Sequence, residues 1–137
     1  MKLRSRFSKG WWPLLLVPAL LMLTGFRQAP LVDPPPIQVP ANVSSAKVEQ
    51  IIGSALSARG WRIVKHVPGE IDAVYDPRSF SVTIAVHYNA HQIQINYVTS
   101  SNLRYEEKNG ERLIHKNYLS WIKNLVTDIS NGLIMAK

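Results

Sequence analysis

The chain of 137 residues carries 16 Lys+Arg against 9 Asp+Glu, four His and no Cys. The length suits one domain. The missing thiols exclude disulfide staples, thiol catalysis, cysteine-ligated zinc or iron–sulfur sites and thiol-attached haem or lipid.

The formal charge of +7 invites a nucleic-acid or membrane partner, and its distribution argues against the first. Lys2, Arg4, Arg6 and Lys9 stand in the first ten residues with no acid, and from Arg27 onward 12 bases face 9 acids. The uncharged run from Trp11 to Phe26 follows directly. Its 16 residues span about 24 Å as a helix, short of a ~30 Å hydrocarbon core. A cationic start, an apolar stretch and small residues at its end predict an export signal or a short membrane anchor at 1–26. Leu23-Thr24-Gly25 has the form that precedes a lipoprotein cysteine, but position 26 is Phe, so no acyl attachment is expected at Phe26. Small-x-small cleavage sites are poor, and a cleaved signal and a retained anchor both stay open. Either places the C-terminal part outside the cytoplasmic membrane.

Residues 27–42 hold five of the nine prolines and are read as a semi-rigid extended linker. A single domain is expected over 43–137. Ser44 or Ser45 caps a helix whose apolar face is Val48, Ile51, Ile52, Ala55 and Leu56, closed near Gly60. The period then changes to two. Trp61, Ile63, Lys65 and Val67 alternate with Arg62, Val64 and His66, and Pro68-Gly69 turns the chain. Ile71, Ala73 and Tyr75 mark a second strand, Phe80, Val82, Ile84 and Val86 a third, and Ile93, Ile95 and Tyr97 a fourth. Polar loops at 100–102 and 108–111 lead to a helix from Leu113, with Ile114, Tyr118, Trp121, Ile122, Leu125 and Ile129 as its stripe and Gly132 ending or loosening it. The expected fold is α+β in two layers: an antiparallel four-stranded meander flanked by an N-terminal and a C-terminal helix. Its second sheet face, with Ser79, Ser81, Thr83, Gln92, Gln94 and Asn96, is expected to be wet or partner-facing.

The chain contains Arg59-Gly60-Trp61, Gly69-Glu70-Ile71-Asp72-Ala73, His87-Tyr88, Ser101-Asn102-Leu103-x-Tyr105 and Ile114-His115-x-Asn117-Tyr118-x-x-Trp121-Ile122-x-x-Leu125. In these the chain resembles a family of small bacterial envelope proteins, many described as lipoproteins and without an assigned reaction. The resemblance implies a location on the periplasmic side and no particular chemistry. Phe26 departs from it where a lipoprotein has Cys.

The sharpest candidate site joins Ser101, Asn102 and Tyr105 to His115, Asn117, Tyr118 and Trp121 as a ligand or partner cleft. His115 and Tyr118 share a helix face, as do Asn117 and Trp121. Ser100 or Ser101 with His115 would be the nucleophile and base of a small hydrolase. No third orienting acid or oxyanion motif accompanies them, and capping and edge packing explain the same residues. His87 and His91 flank a turn, with His66 on a neighbouring strand, and are weak metal candidates because zinc wants three or four ligands. No cofactor signature is present: phosphate loops, paired catalytic carboxylates and HExxH-type motifs are missing. Dispersed bases without a stacking platform disfavour nucleic acid. The expected function is an exported, non-enzymatic binding or interaction module of the bacterial envelope, whose partner is an envelope protein or small ligand and whose membrane association runs through residues 11–26. A hydrolase working through His115 is the competing reading.

Overall fold

The computed structural model describes residues 27–136, so the expected export signal or anchor and Phe26 lie outside the described residues. The elements are β1 (Gln28–Pro30), β2 (Ile37–Gln38), α1 (Ser45–Ala58), β3 (Arg62–Val67), β4 (Glu70–Tyr75), β5 (Ser81–Tyr88), β6 (Gln92–Ser101), β7 (Glu106–Lys108), β8 (Glu111–His115) and α2 (Lys116–Met135). The class is α+β with antiparallel sheets and two helices, but the four-stranded meander needs correction. β2 adds a fifth strand, giving the order β2-β6-β5-β4-β3, and β1, β8 and β7 form a separate three-stranded sheet.

Local chemistry explains most boundaries. The Ser44 hydroxyl accepts the Lys47 N–H (3.1 Å) and caps α1. At the other end Gly60 takes φ +84°, Gly60 N–H donates to Ser57 O (3.1 Å) and Trp61 N–H to Leu56 O (2.9 Å). That pairing is a Schellman cap, and it turns Trp61 into the core beside Leu56. Pro68 with Gly69 at φ +84° suits a type II turn between β3 and β4. Asn89 closes the β5–β6 turn, its Oδ1 accepting the N–H groups of His91 (2.7 Å) and Gln92 (2.9 Å).

Two readings near the C-terminal helix change. Asn109 and Gly110 both have positive φ (55° and 76°) and join β7 to β8 in a two-residue hairpin. What reads as a polar loop is therefore strand, and the helix begins at Lys116 rather than Leu113. Gly132 does not end the helix, which runs on to Met135. Instead the two helices meet there. A Cβ at Gly132 would lie 2.7 Å from Ile51 Cγ2. Further along, Arg59 Nε sits 2.7 Å from Asp128 Oδ2, so the helices pack antiparallel.

The core lies between the helices and one face of the large sheet. Val48, Ile52, Leu56, Leu125 and Ile129 meet Ile71, Ala73, Val82, Ile84, Val86, Ile93 and Ile95, all essentially without solvent exposure. Each fully buried large aliphatic contributes about 1.5–3 kcal/mol. Leu31, Leu103 and Ile114 extend the core under the small sheet.

The β3 register departs from simple alternation. A bulge at Val64 shifts the pairing from Ile63↔Ala73 to Lys65↔Asp72. Beyond it every side chain changes face. Lys65 and Val67 join the open face of the sheet, and His66 turns toward α1, where its Nε2 lies 2.6 Å from Glu49 Oε1. Tyr88 donates its hydroxyl to the other oxygen of Glu49 (2.9 Å).

Residues 27–42, expected as a spacer, lie along the domain. Leu31 and Val39 are buried, and Asp33 accepts the Tyr97 N–H (3.0 Å) and an Asn96 Nδ2–H (3.1 Å) at the edge of β6. Gln94 Nε2 donates to Pro34 O (3.0 Å). Gln94 and Asn96, expected on a wet face, are thus half-buried and engaged by the proline segment. Proline has no N–H to donate to a ladder, so the edge of β6 is closed by the Asp33 carboxylate and by carbonyls.

Candidate functional site

The sequence-predicted cluster divides into two aromatic rows. In the first, Tyr97 stacks on Tyr105 (centroids 5.0 Å) and meets Tyr118 edge-on (5.7 Å). Ser100 Oγ is hydrogen-bonded to the Tyr97 hydroxyl (2.7 Å), and Tyr105 donates its hydroxyl to Glu107 (3.0 Å). The Tyr118 hydroxyl is buried and has no hydrogen-bond partner among the described residues. Burial first, and then the Asp33 charge, pushes that phenol well above its ordinary value, so it stays neutral.

In the second row, His115 lies 6.1 Å from Phe80, Phe80 6.2 Å from Trp121, Trp121 5.0 Å from Tyr75, and Tyr75 5.1 Å from Trp61, ring centre to ring centre. His115 is the N-cap of α2: its Nδ1 accepts the Asn117 N–H (3.1 Å). The Asn102 amide donates to Ser79 O (2.8 Å), and Ser101 pairs with Ser81 at the end of β6. Among the described residues no hydrogen bond joins His115 to Ser100 or Ser101. The imidazole caps a helix and the Ser100 hydroxyl bonds to a tyrosine, so the structure does not bring a nucleophile and its base together. Of these candidate residues, Trp121 and Tyr118 lie on two separate cavities.

The histidines also separate. His87 is exposed on the open sheet face opposite Glu70, His91 sits in the β5–β6 turn, and His66 is on the helix side. Among the described residues no three His, Asp or Glu side chains are placed to hold a metal ion. On that open face Asp72 has one buried carboxylate oxygen without a hydrogen-bond partner among the described residues. Desolvation, and then Glu70, raises the Asp72 pKa above its ordinary value, while the hydrogen bond from Asp72 holds Glu70 below its own.

The concavity that the second aromatic row leads to is a cleft of about 430 Å³ between the end of α1, the β3–β4 hairpin and the middle of α2. Its walls are Trp61, Tyr75 and Trp121, with Arg59 and Asn124 at the polar side. Gly60 packs beside Tyr75, where a Cβ would make an ordinary 3.6 Å contact with the ring. Arg59 is held in place by a two-bond contact with Asp128, Nε to Oδ2 at 2.7 Å and an Nη to Oδ1 at 3.2 Å. That guanidinium keeps the Asp128 carboxyl below its ordinary pKa. The cleft volume falls in the range of small-ligand sites, and its rings and few polar groups have the usual composition.

Of the candidate residues only Trp121 lines this cleft. Trp61, Tyr75, Arg59 and Asn124 were missed because sequence spacing assigns the first two to strand packing alone. The Pro68-Gly69 hairpin held a partial signal. In simple register Trp61 falls opposite Asp76; the one-residue bulge moves it beside Tyr75. The residues that carry the resemblance largely hold turns and core: Gly60 and Gly69 at positive φ, His115 as a cap, Leu103, Ile114, Ile122 and Leu125 buried. Compared with family models, curated proteins and solved structures, the chain matches none of them.

Proposed function

We propose that this is an exported bacterial envelope protein acting on the periplasmic side as a non-enzymatic binding module, with the Trp61–Tyr75–Trp121 cleft as its ligand site. The address rests on the cationic, then apolar, residues 1–26 and on the resemblance in the C-terminal two-thirds. The cleft carries the binding reading. The half-buried Tyr75 and Trp121, backed by the buried Trp61, offer flat apolar surface, and Asn124 and the oriented Arg59 offer donors at the edge. Such a surface suits a ring-bearing ligand with a polar rim, and the sugar rings of a cell-wall glycan have that form.

Titrating the full chain with a soluble cell-wall glycan fragment, followed by tryptophan emission, tests it. Saturable change in the wild type that Trp121→Ala abolishes, in a variant that still unfolds cooperatively at a lower temperature, is expected. No difference between wild type and variant removes the cleft from the reading. Turnover of an ester or amide substrate, lost in a folded His115→Ala variant, would instead establish the hydrolase.

A further inference from the structure

We infer that the shoulder of α2 bordered by Val32 and the proline segment rests on an anionic lipid surface, so that α2 lies along the bilayer and the aromatic cleft faces away from it. Among the described residues, the three most exposed large apolar side chains, Val32, Ile134 and Met135, lie there, while the less exposed Ile63, Val64, Val67 and Val98 lie on β3 and β6. Val32 is 73% exposed and Ile134 63%, the highest values among large apolar residues apart from Met135 at the helix end. Pro34 and Val126 are shared by two adjoining grooves along this shoulder. One is further lined by Val32, Leu119, Ile122 and Lys123, the other by Pro35, Pro36, Leu133 and Ile134. A shoulder of this kind, with Val32 and Ile134 exposed beside the two grooves and Lys123 among apolar residues, suits shallow contact at the headgroup boundary, where lysine reaches back to phosphate. From Lys116 to Thr127 the helix carries no acid, and Asp33, the acid beside Val32, is engaged by the Tyr97 and Asn96 amides with Arg112 4.0 Å away.

The chain's own connectivity selects lipid over other occupants. Arg27 O accepts the Lys116 N–H (3.0 Å), so the apolar residues 11–26 join the domain at the first turn of α2. Val32 is five residues further on, at most about 18 Å from Arg27 even fully extended. With the anchor holding the domain at the surface, a shallow and individually weak contact is enough. Ile134 is about 27 Å along the helix axis from Lys116, so it reaches the surface only if α2 lies flat. Asn124 is two residues, about 200°, around the helix from Val126. The cleft therefore opens on the opposite side, away from the membrane. The inference rests on the anchored form of the proposed envelope protein.

The absence of native cysteine makes the test clean. Val32→Cys, Ile134→Cys and Val64→Cys are each introduced into the full chain and labelled with an environment-sensitive dye. Val64 lies on β3, four strand spacings or about 19 Å from β2. The variants are reconstituted in phosphatidylglycerol–phosphatidylethanolamine vesicles containing an acyl-chain quencher lipid. Quenching of at least about twofold at positions 32 and 134, and little at 64, is expected for an interfacial contact. Quenching at 32 alone means an upright domain and overturns the inference. So does equal quenching at all three positions, or none, or a blue shift that follows protein concentration instead of lipid, which would mark a protein interface. Intact mass of the cellular protein is a separate readout: a trimmed soluble form defeats the anchored state, whereas absent quenching in the reconstituted full chain defeats only this face.

Discussion

Replacing Gly132 by Ala pits two effects of known size against each other. Inside a helix, Ala is favoured over Gly by about 1 kcal/mol. Against that, the new Cβ would stand 2.7 Å from Ile51 Cγ2, with Cγ1 at 3.6 Å and Cβ at 3.7 Å. Carbon atoms prefer roughly 3.5–4.0 Å, so the first contact overlaps by about 1 Å. Ile51 is 9% exposed, and as a β-branched residue in a helix it has essentially one χ1 rotamer. Relief therefore requires moving the helices apart or forcing the side chain off-rotamer, which costs about 1–3 kcal/mol. The net expectation is a loss near 1 kcal/mol, a fall of about 4–8 °C in Tm for a domain of this size. Thermal and urea unfolding of a double-mutant cycle read it directly. In an Ile51→Ala background the overlapping methyl is gone, and Gly132→Ala should then stabilise by about 1 kcal/mol, a coupling of about 2 kcal/mol. Gly53 supplies the control: nothing lies within 4 Å of the position a Cβ would take there, so Gly53→Ala should stabilise by ~0.5–1 kcal/mol. If Gly132→Ala stabilises the wild type, or acts alike in both backgrounds, the close helix contact is refuted.

Three further outcomes follow from named contacts. His115→Ala should cost about 0.5–2 kcal/mol because the Asn117 N–H loses its acceptor, and His115→Asn, which can cap, should recover most of it; equal Tm values for the two variants would remove the capping role. Asp33→Ala should lower stability by about 1–3 kcal/mol and lower hydrogen-exchange protection of the Tyr97 amide, whose acceptor it removes; unchanged protection would show that the proline segment does not hold that edge. Asp72 has a folded pKa raised by burial and by Glu70, so its contribution is present at low pH and lost as pH rises through the folded value. Asp72→Asn should therefore raise Tm at pH 7 by roughly 2–5 °C, with the gain fading as pH falls below the ordinary Asp value of about 3.9; a gain of the same size at pH 3 would contradict this.

Local signals determined much of this protein. The capping Ser44, the Gly60 terminator and the three-and-four spacing of Val48, Ile51, Ile52, Ala55 and Leu56 are enough to place α1, because those forces act within one helical turn. The Pro68-Gly69 turn and period-two alternation likewise place the hairpins of β3 to β6. Asn109-Gly110 was legible too, as a hairpin signal between β7 and β8, but the apolar run after it overlaps the period of the following helix.

Only the tertiary structure decided three things. The Val64 bulge sets Trp61 beside Tyr75 and turns His66 to the helix side, and no pattern in Arg62–Val67 announces one extra residue in the ladder. Residues 27–42 look like a tether because proline cannot propagate regular structure, yet Asp33 finds the unpaired edge of β6 over 60 positions away, a partner no local rule supplies. The His115 and Ser100 pairing suggested by residue type fails for the same reason. Each group has its own nearer partner, an amide at the helix start and the Tyr97 hydroxyl, and the fold gathers Trp61, Tyr75 and Trp121 into the cleft instead.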